Sequence, residues 1–174
     1  MSTQLFYGKY RGTVLVNLDP SGLGRILASV PAVSSLLPTS WCMPCYPLAG
    51  KLQGISYVPQ IGAGVWIEFE GGDPDKPIWT GCFWGLEAEL PTDATKASIT
   101  NNPVSPSIVL QNTLQNVVII SDLPGPTGGI TLRSLTGAKI VVNDTGIYID
   151  NGKGASITLL GPTVTINNGA LTVV

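Results

Sequence analysis

Apolar residues in the C-terminal part of the chain recur in pairs separated by one residue: Val118/Ile120, Ile130/Leu132, Ile140/Val142, Ile147/Ile149, Ile157/Leu159, Val164/Ile166 and Leu171/Val173. Alternation of period two puts both members of a pair on one face of a strand. From Ile130 the first members follow one another at 10, 7, 10, 7 and 7 residues. Gly129, Gly137, Gly146, Gly152, Gly154, Gly161 and Gly169 punctuate the series. Short strands joined by tight corners at such a period predict a β-helix or β-prism. A solenoid closed by one chain needs about 20 residues or more per coil, and the unit here is shorter. Three chains, each supplying one face per layer, would close it. Ile130, Leu132, Ile140, Val142, Ile147, Ile149, Ile157, Leu159, Val164 and Ile166 are then expected to point to a shared axis, with Thr, Ser, Asn and Lys outward. The last 21 residues, Gly154 to Val174, carry no charge. The series ends on Leu171, Val173 and Val174, which makes these three the expected contact for a capping tip.

Residues 1–85 have a different pattern. Tyr10–Asn17, Gly24–Val30, Ile55–Val58, Gly64–Glu70 and Ile78–Trp84 read as five short strands. Asp19-Pro-Ser-Gly22 is a turn, and Trp41–Gly50 a long, proline-rich connection. In Gly64–Glu70, Val65, Ile67 and Phe69 share one face, and Trp66 points to the other. Five strands with one long connection predict an OB-type barrel. Residues 86–107, with early charges and then Asn101, Asn102, Pro103 and Pro106, read as an extended linker. The reading is all-β: a barrel over 1–85, a linker over 86–107, and an intertwined trimeric β-helix or β-prism over 108–174.

Composition narrows the class of function. Charged residues are 11% of the 174, about half the usual share, and the mean hydropathy is +0.31. A lone chain of that kind would expose too much apolar surface, so partner subunits are expected to cover it. The net charge of −2 offers no basic field for nucleic acid or anionic lipid. No charged leader followed by an apolar stretch is visible at the start, and no apolar run approaches the roughly 18 residues of a membrane helix. Assembly in a cytoplasm is the expectation.

Candidate chemistry is sparse. There is no histidine, so no nucleophile has the base it usually needs. Asp73 and Asp75 lie in a Gly/Pro hairpin, where Asp side chains bond their own backbone. Gly71-Gly72 is not followed by Lys-Ser/Thr and is no phosphate loop. Cys42, Cys45 and Cys82 are odd in number; Cys42-Met-Pro-Cys45 has metal or redox spacing but no second pair, and buried structural thiols are expected. No cofactor, no metal and no enzymatic activity are expected. Trp41, Trp66, Trp79 and Trp84 could stack single-stranded nucleic acid on an OB barrel. That alternative, a nucleic-acid-binding barrel with a fibrous oligomerisation tail, lacks the basic groove it needs. Carbohydrate-active solenoids cluster carboxylates on one face, whereas Asp122, Asp144 and Asp150 are well separated.

The run from Gly64 to Gly81 (GVWIEFEGGDPDKPIWTG), with Gly8-Lys-Tyr-Arg-Gly12, Asp19-Pro20, Gly24-Arg25 and Val58-Pro59, resembles the central spike of contractile tails: phage baseplate spike proteins and the VgrG proteins of type VI secretion. The resemblance implies a homotrimer that docks to a tail hub through its OB barrel and penetrates the target-cell envelope with its C-terminal needle. Trp66, Gly72, Asp73, Pro74, Asp75, Pro77, Trp79 and Gly81 carry the barrel motif and the implied hub contact. It also implies a tip partner resembling the PAAR proteins, and a place in a virion baseplate assembled in the host cytoplasm or in a related injection machine. Neither hub-like domains before the barrel nor a lysozyme-like domain after it are apparent. The His-X-His iron site of some simple phage spikes has no counterpart in a chain without histidine.

Overall fold

The computed structural model describes residues 4–34, 37–94 and 107–173. The chain divides into two units between Glu89 and Leu90, and nearly all regular structure in both is strand.

The first unit contains β1 (Tyr10–Val16), β2 (Leu27–Ser29), β3 (Met43–Pro44), β4 (Ala49–Gly50), β5 (Gln53–Gly54), β6 (Gly64–Phe69) and β7 (Pro77–Phe83). Five of these form a sheet in the order β2-β1-β6-β7-β3. All pairings are antiparallel except β3 with β7. A bridge between Ile26 and Cys42 joins the entrances of β2 and β3, so the sheet closes on itself. One parallel pairing in a closed ring of five short strands is the OB-barrel arrangement. A register shift at Trp66/Ile67 opposite Trp79–Gly81 adds the local bend that closure requires.

Alternation builds the core. Val65, Ile67 and Phe69 of β6 point inward with Val14 of β1 and Ala28 of β2. Trp79 is fully buried among them, and its indole N–H donates to the Gly24 carbonyl at 3.1 Å. Buried side chains of this size contribute about 1.5–3 kcal/mol each.

Several sequence expectations shift here. The third strand of the barrel is not Ile55–Val58 but Met43–Pro44, inside the stretch read as a connection. Pro44 has no N–H to give, yet β3 lies on the rim and needs few ladder bonds; Cys45 N donates to Trp79 O at 2.9 Å. Only Cys42 is a buried thiol, pushed up to about 11 by burial. Cys45 and Cys82 are exposed: the first falls just beyond two-residue β3, the second one residue from the end of β7. The stretch 86–107 is not uniformly extended either. Glu87–Glu89 forms a 3-10 turn, with Glu89 Oε2 accepting from Gly85 N at 2.6 Å. Asp93 pairs with Arg133 of the second unit. Residues 95–106 of that expected linker lie outside the described residues.

The second unit contains β8 (Ser107–Gln111), β9 (Val117–Ser121), β10 (Gly129–Arg133), β11 (Lys139–Asn143), β12 (Gly146–Asp150), β13 (Ser156–Leu160), β14 (Thr163–Ile166) and β15 (Leu171–Val173). They form an antiparallel sheet in which each strand bonds only to its neighbours in sequence. One chain thus supplies a zigzag face, not a coil. Turn chemistry fixes the corners. Asn143 Oδ1 accepts from Thr145 N and Gly146 N, Asn151 Oδ1 from Lys153 N and Ala155 N, and Asn112 Oδ1 from Asn116 N.

Candidate functional site

In the second unit, the register stacks every apolar pair on the next. One column runs Leu110, Val118, Leu132, Ile140, Ile149, Ile157, Ile166, Leu171; the other runs Ile108, Ile120, Ile130, Val142, Ile147, Leu159, Val164, Val173. Both columns lie on one face, because partners across an antiparallel ladder share a face and the two members of a pair are two residues apart. The ten residues expected at a shared axis all fall in these columns. Leu171 and Val173, read as a separate tip contact, continue the same columns onto the last strand, while Val174 lies outside the described residues.

Among the described residues of one chain, nothing covers this face. Ile147 at the middle of its column is 37% exposed, and Leu110 at an end is 64% exposed. The gradient follows from geometry: an inner residue is flanked by two column neighbours and an end residue by one. Among the described residues of this unit only Val117, on the opposite face, is a buried hydrophobic residue. Two unbroken apolar columns are far more than the scattered exposed hydrophobes of an ordinary surface, and mark a contact with other protein.

The opposite face carries the polar strand residues, interspersed with Val109, Ile119, Val141 and Leu160, and the side-chain oxygen of Gln111 is buried there without a hydrogen-bond partner among the described residues. Lys139 stands across from Asp150, and Val141 across from Tyr148; the Tyr148 hydroxyl bonds Thr145 Oγ1 at 2.8 Å. Arg133 is in turn the register partner of Lys139 and pairs with Asp93, so the charges there are grouped at one end of these strands.

The barrel motif residues have several fates. Trp66 and Phe83 pack outside the barrel with their rings tilted by 49° and centroids 4.9 Å apart. Arg11 lies over both, at 5.4 and 5.0 Å from the ring centres. The cation caps the rings that a nucleobase would need, so they form no free stacking platform. Next to them Lys9 pairs with Glu68 at 2.7 Å. Trp79 and Pro77 are buried and present nothing to a partner. Gly81 is the register partner of Trp66. Asp73, Pro74 and Asp75 form a closed loop: Asp73 Oδ1 accepts from Asp75 N at 3.0 Å, Asp73 O from Lys76 N at 3.0 Å, and Asp75 O from Ser40 Oγ at 2.9 Å. The Asp73 carboxylate serves the turn, and Asp75 joins it through its backbone N–H and carbonyl. Gly72 is needed at its position: φ is +82°, and a Cβ would meet Leu5 and Tyr7 at 3.1 Å. The N-terminal strand entry therefore clamps this loop, with Phe6 N donating to Gly72 O at 2.8 Å. Among the described residues, no three His, Cys, Asp or Glu side chains converge as metal ligands would.

Sequence reasoning missed one preorganised element, the loop between β1 and β2. Asp19 accepts from Ser21 N, Leu23 N and Arg25 N at 2.9–3.1 Å and from the Arg25 guanidinium at 2.7 Å. The guanidinium, with help from these N–H donors, holds the carboxyl well below the usual carboxylate range. Arg25 also lies over Trp41, 5.3 Å from its ring centre. The spacing of Asp19-Pro20 and Gly24-Arg25 was the available signal, but a six-residue offset does not disclose a closed ion pair.

Comparison with known proteins agrees with this division. Residues 10–84 match the family described as type VI secretion system/phage-baseplate injector OB domain. Residues 107–172 match the phage baseplate V C-terminal trimerisation domain. Among curated proteins, the type VI secretion system spike protein VgrG1a of Pseudomonas aeruginosa is 38% identical over 63 residues, 34% of this chain and 10% of that protein. VgrG1c of the same organism is 39% identical over 61 residues, 33% of this chain and 8% of that protein. The chain therefore spans only about a tenth of the length of these relatives. With an OB barrel and a trimerisation sheet that together account for most of its length, the chain belongs to the VgrG-like family of phage-baseplate and type VI secretion spikes.

Proposed function

We propose that this chain is the structural spike at the centre of a contractile-tail baseplate and works as a homotrimer that pierces the target-cell envelope. The observation that carries the reading is the pair of apolar columns left uncovered on a family trimerisation sheet. Three such faces turned toward one axis bury the columns against one another, and the polar faces then meet solvent. Covering a Leu, Ile or Val removes it from water at about 1.5–3 kcal/mol per side chain, repeated in three chains at every level. The result is a stiff body held by packing, suited to transmitting an axial push. The absence of histidine from the sequence and the turn roles of Asp73 and Asp75 favour a mechanical part over a catalytic one.

In this reading the barrel is the attachment end. It holds the charged and aromatic variety that specific docking to a hub protein uses, with Arg11, Trp66, Lys9 and Glu68 on its outer face. The β15 end carries a tip protein resembling the PAAR proteins, bound through Leu171, Val173 and Val174 of three chains. The setting is a phage virion baseplate, assembled in the host cytoplasm, or a related injection machine. The test is native mass at micromolar concentration followed by reconstitution. Three chains per particle are expected, with retention of a hub protein by the barrel and of a tip protein by the far end. A stable folded monomer overturns the reading.

A further inference from the structure

The barrel carries one element that neither its sheet nor its core requires. Between β3 and β6 the chain makes the small β4–β5 hairpin, whose two-residue turn is Lys51-Leu52. Leu52 is fully exposed and sits at φ +59°. The left-handed region is disfavoured for a bulky side chain and is ordinarily filled by glycine or asparagine. Elsewhere among the described residues, positive φ falls on glycines, on Asn167 and Asn168, and on Gln115; Leu52 is the apolar exception. A strained backbone and an apolar side chain held wholly in water are two separate costs, with no contact among the described residues to offset either. Such an outlier points to function.

The hairpin is also held firmly at its root. Tyr46 and Tyr57 flank it, each edge-on to Trp79 with centroids 5.5 Å apart. The Tyr46 hydroxyl donates to the Tyr57 carbonyl at 3.0 Å, and Ile55 N to Leu48 O at 3.0 Å. Leu48 and Ile55 are themselves about half exposed. Between Arg25 and Glu68 the sequence has one charged residue, Lys51. The arm is therefore rigid, apolar and nearly uncharged.

We propose that Leu52 seats on the neighbouring barrel of the same trimer, against the β1–β2 loop at Leu18 and Leu23. A three-fold contact is heterologous: each copy must supply two different patches, a donor and a receiver. The barrel has both. Leu18 is 83% and Leu23 57% exposed, and the Asp19–Arg25 cage fixes the loop that presents them. The trimerisation sheet begins at Ser107, a short chain length after Glu89, so three barrels tethered to one trimer meet at the high effective concentration of a short linker. Lys51 at the rim of the contact keeps its ammonium in water.

The experiment uses the full-length trimer and two variants. Leu52→Gly removes the side chain and relieves the backbone. If Leu52 touches nothing, glycine at a positive φ stabilises and the barrel's melting temperature rises. If Leu52 is seated on a neighbour, it falls, by about 4 °C or more for a barrel of this size. Independently, a photo-crosslinking amino acid at position 52 is expected to give an interchain band that maps to residues 17–25. A raised melting temperature, an intact trimer without an interchain band, or a band mapping elsewhere overturns the proposal. A hub protein as the true occupant would give the first two of these results in the purified trimer.

Discussion

The barrel and the meander sheet use similar strands and differ in where their apolar residues go. In the barrel, period-two alternation is folded back on itself: the sheet closes, and Val14, Ile26, Val65, Ile67 and Trp79 leave water within one chain. In the meander the same alternation stays open, and Ile140, Ile149 and Ile157 remain about 40% exposed. The difference lies in the connections. The barrel has β3 alongside β7 and a bridge from Ile26 to Cys42, contacts between residues distant in sequence. The meander has only neighbour-to-neighbour ladders, which cannot enclose a volume. One chain therefore carries a unit that completes its own core and a unit that other copies must complete.

The sharpest way to break that contrast is a charge in a column. Ile149→Asp places three carboxylates at one level of a trimer, each losing hydration at several kcal/mol with no counter-charge. Trimer formation is expected to be abolished, with monomers seen by native mass. The barrel, whose core shares nothing with the column, is expected to keep its near-ultraviolet circular dichroism from Trp79. If the trimer survives, the columns do not face one another.

The same contrast explains what could be read in advance. Ile130 to Ile166 were legible as one face because column membership is set by local alternation, and every corner is written in Asn, Asp and Gly. Val65, Ile67 and Phe69 were legible for the same reason. Met43–Pro44 was not: a two-residue strand containing proline has no periodicity, and only its parallel pairing with β7, set by the whole barrel, makes it a strand. Cys45 and Cys82 were misjudged because burial of a small thiol depends on position relative to the rim. Leu52 could not be found from sequence, since Lys-Leu-Gln-Gly contains no turn signal at the leucine.

A smaller effect sharpens the barrel side of the comparison. Asp19 is held ionised by Arg25 and the loop N–H groups, so its folded pKa lies below the unfolded value of about 3.9. A depressed carboxyl contributes stability that is fully present above the unfolded pKa and is lost as pH falls from about 4 toward the folded value. The barrel's melting temperature is expected to be level between pH 7 and 5 and to drop below pH 4. Asp19→Asn is expected to melt several degrees lower at pH 7, with the gap to wild type closing by pH 3. A gap that stays constant with pH means the loop is held by its backbone alone.

The smallest expected effect asks whether the meander owns any tertiary structure of its own. Asp93 pairs with Arg133, the register partner of Val117, which is the buried residue on the polar face. The ion pair is partly exposed, with Arg133 at 34% and Asp93 at 10%, so its value lies toward the surface-pair range of about 0.2–1 kcal/mol. Asp93→Asn is expected to lower the trimer's melting temperature by no more than a few degrees in dilute buffer. If charge is the cause, about 0.5 M salt shrinks that difference, since screening then acts within a few ångströms. A difference that salt leaves unchanged assigns the effect to packing of the segment over Val117. That result would mean the meander buries a small core unaided, and the contrast with the barrel would be one of degree.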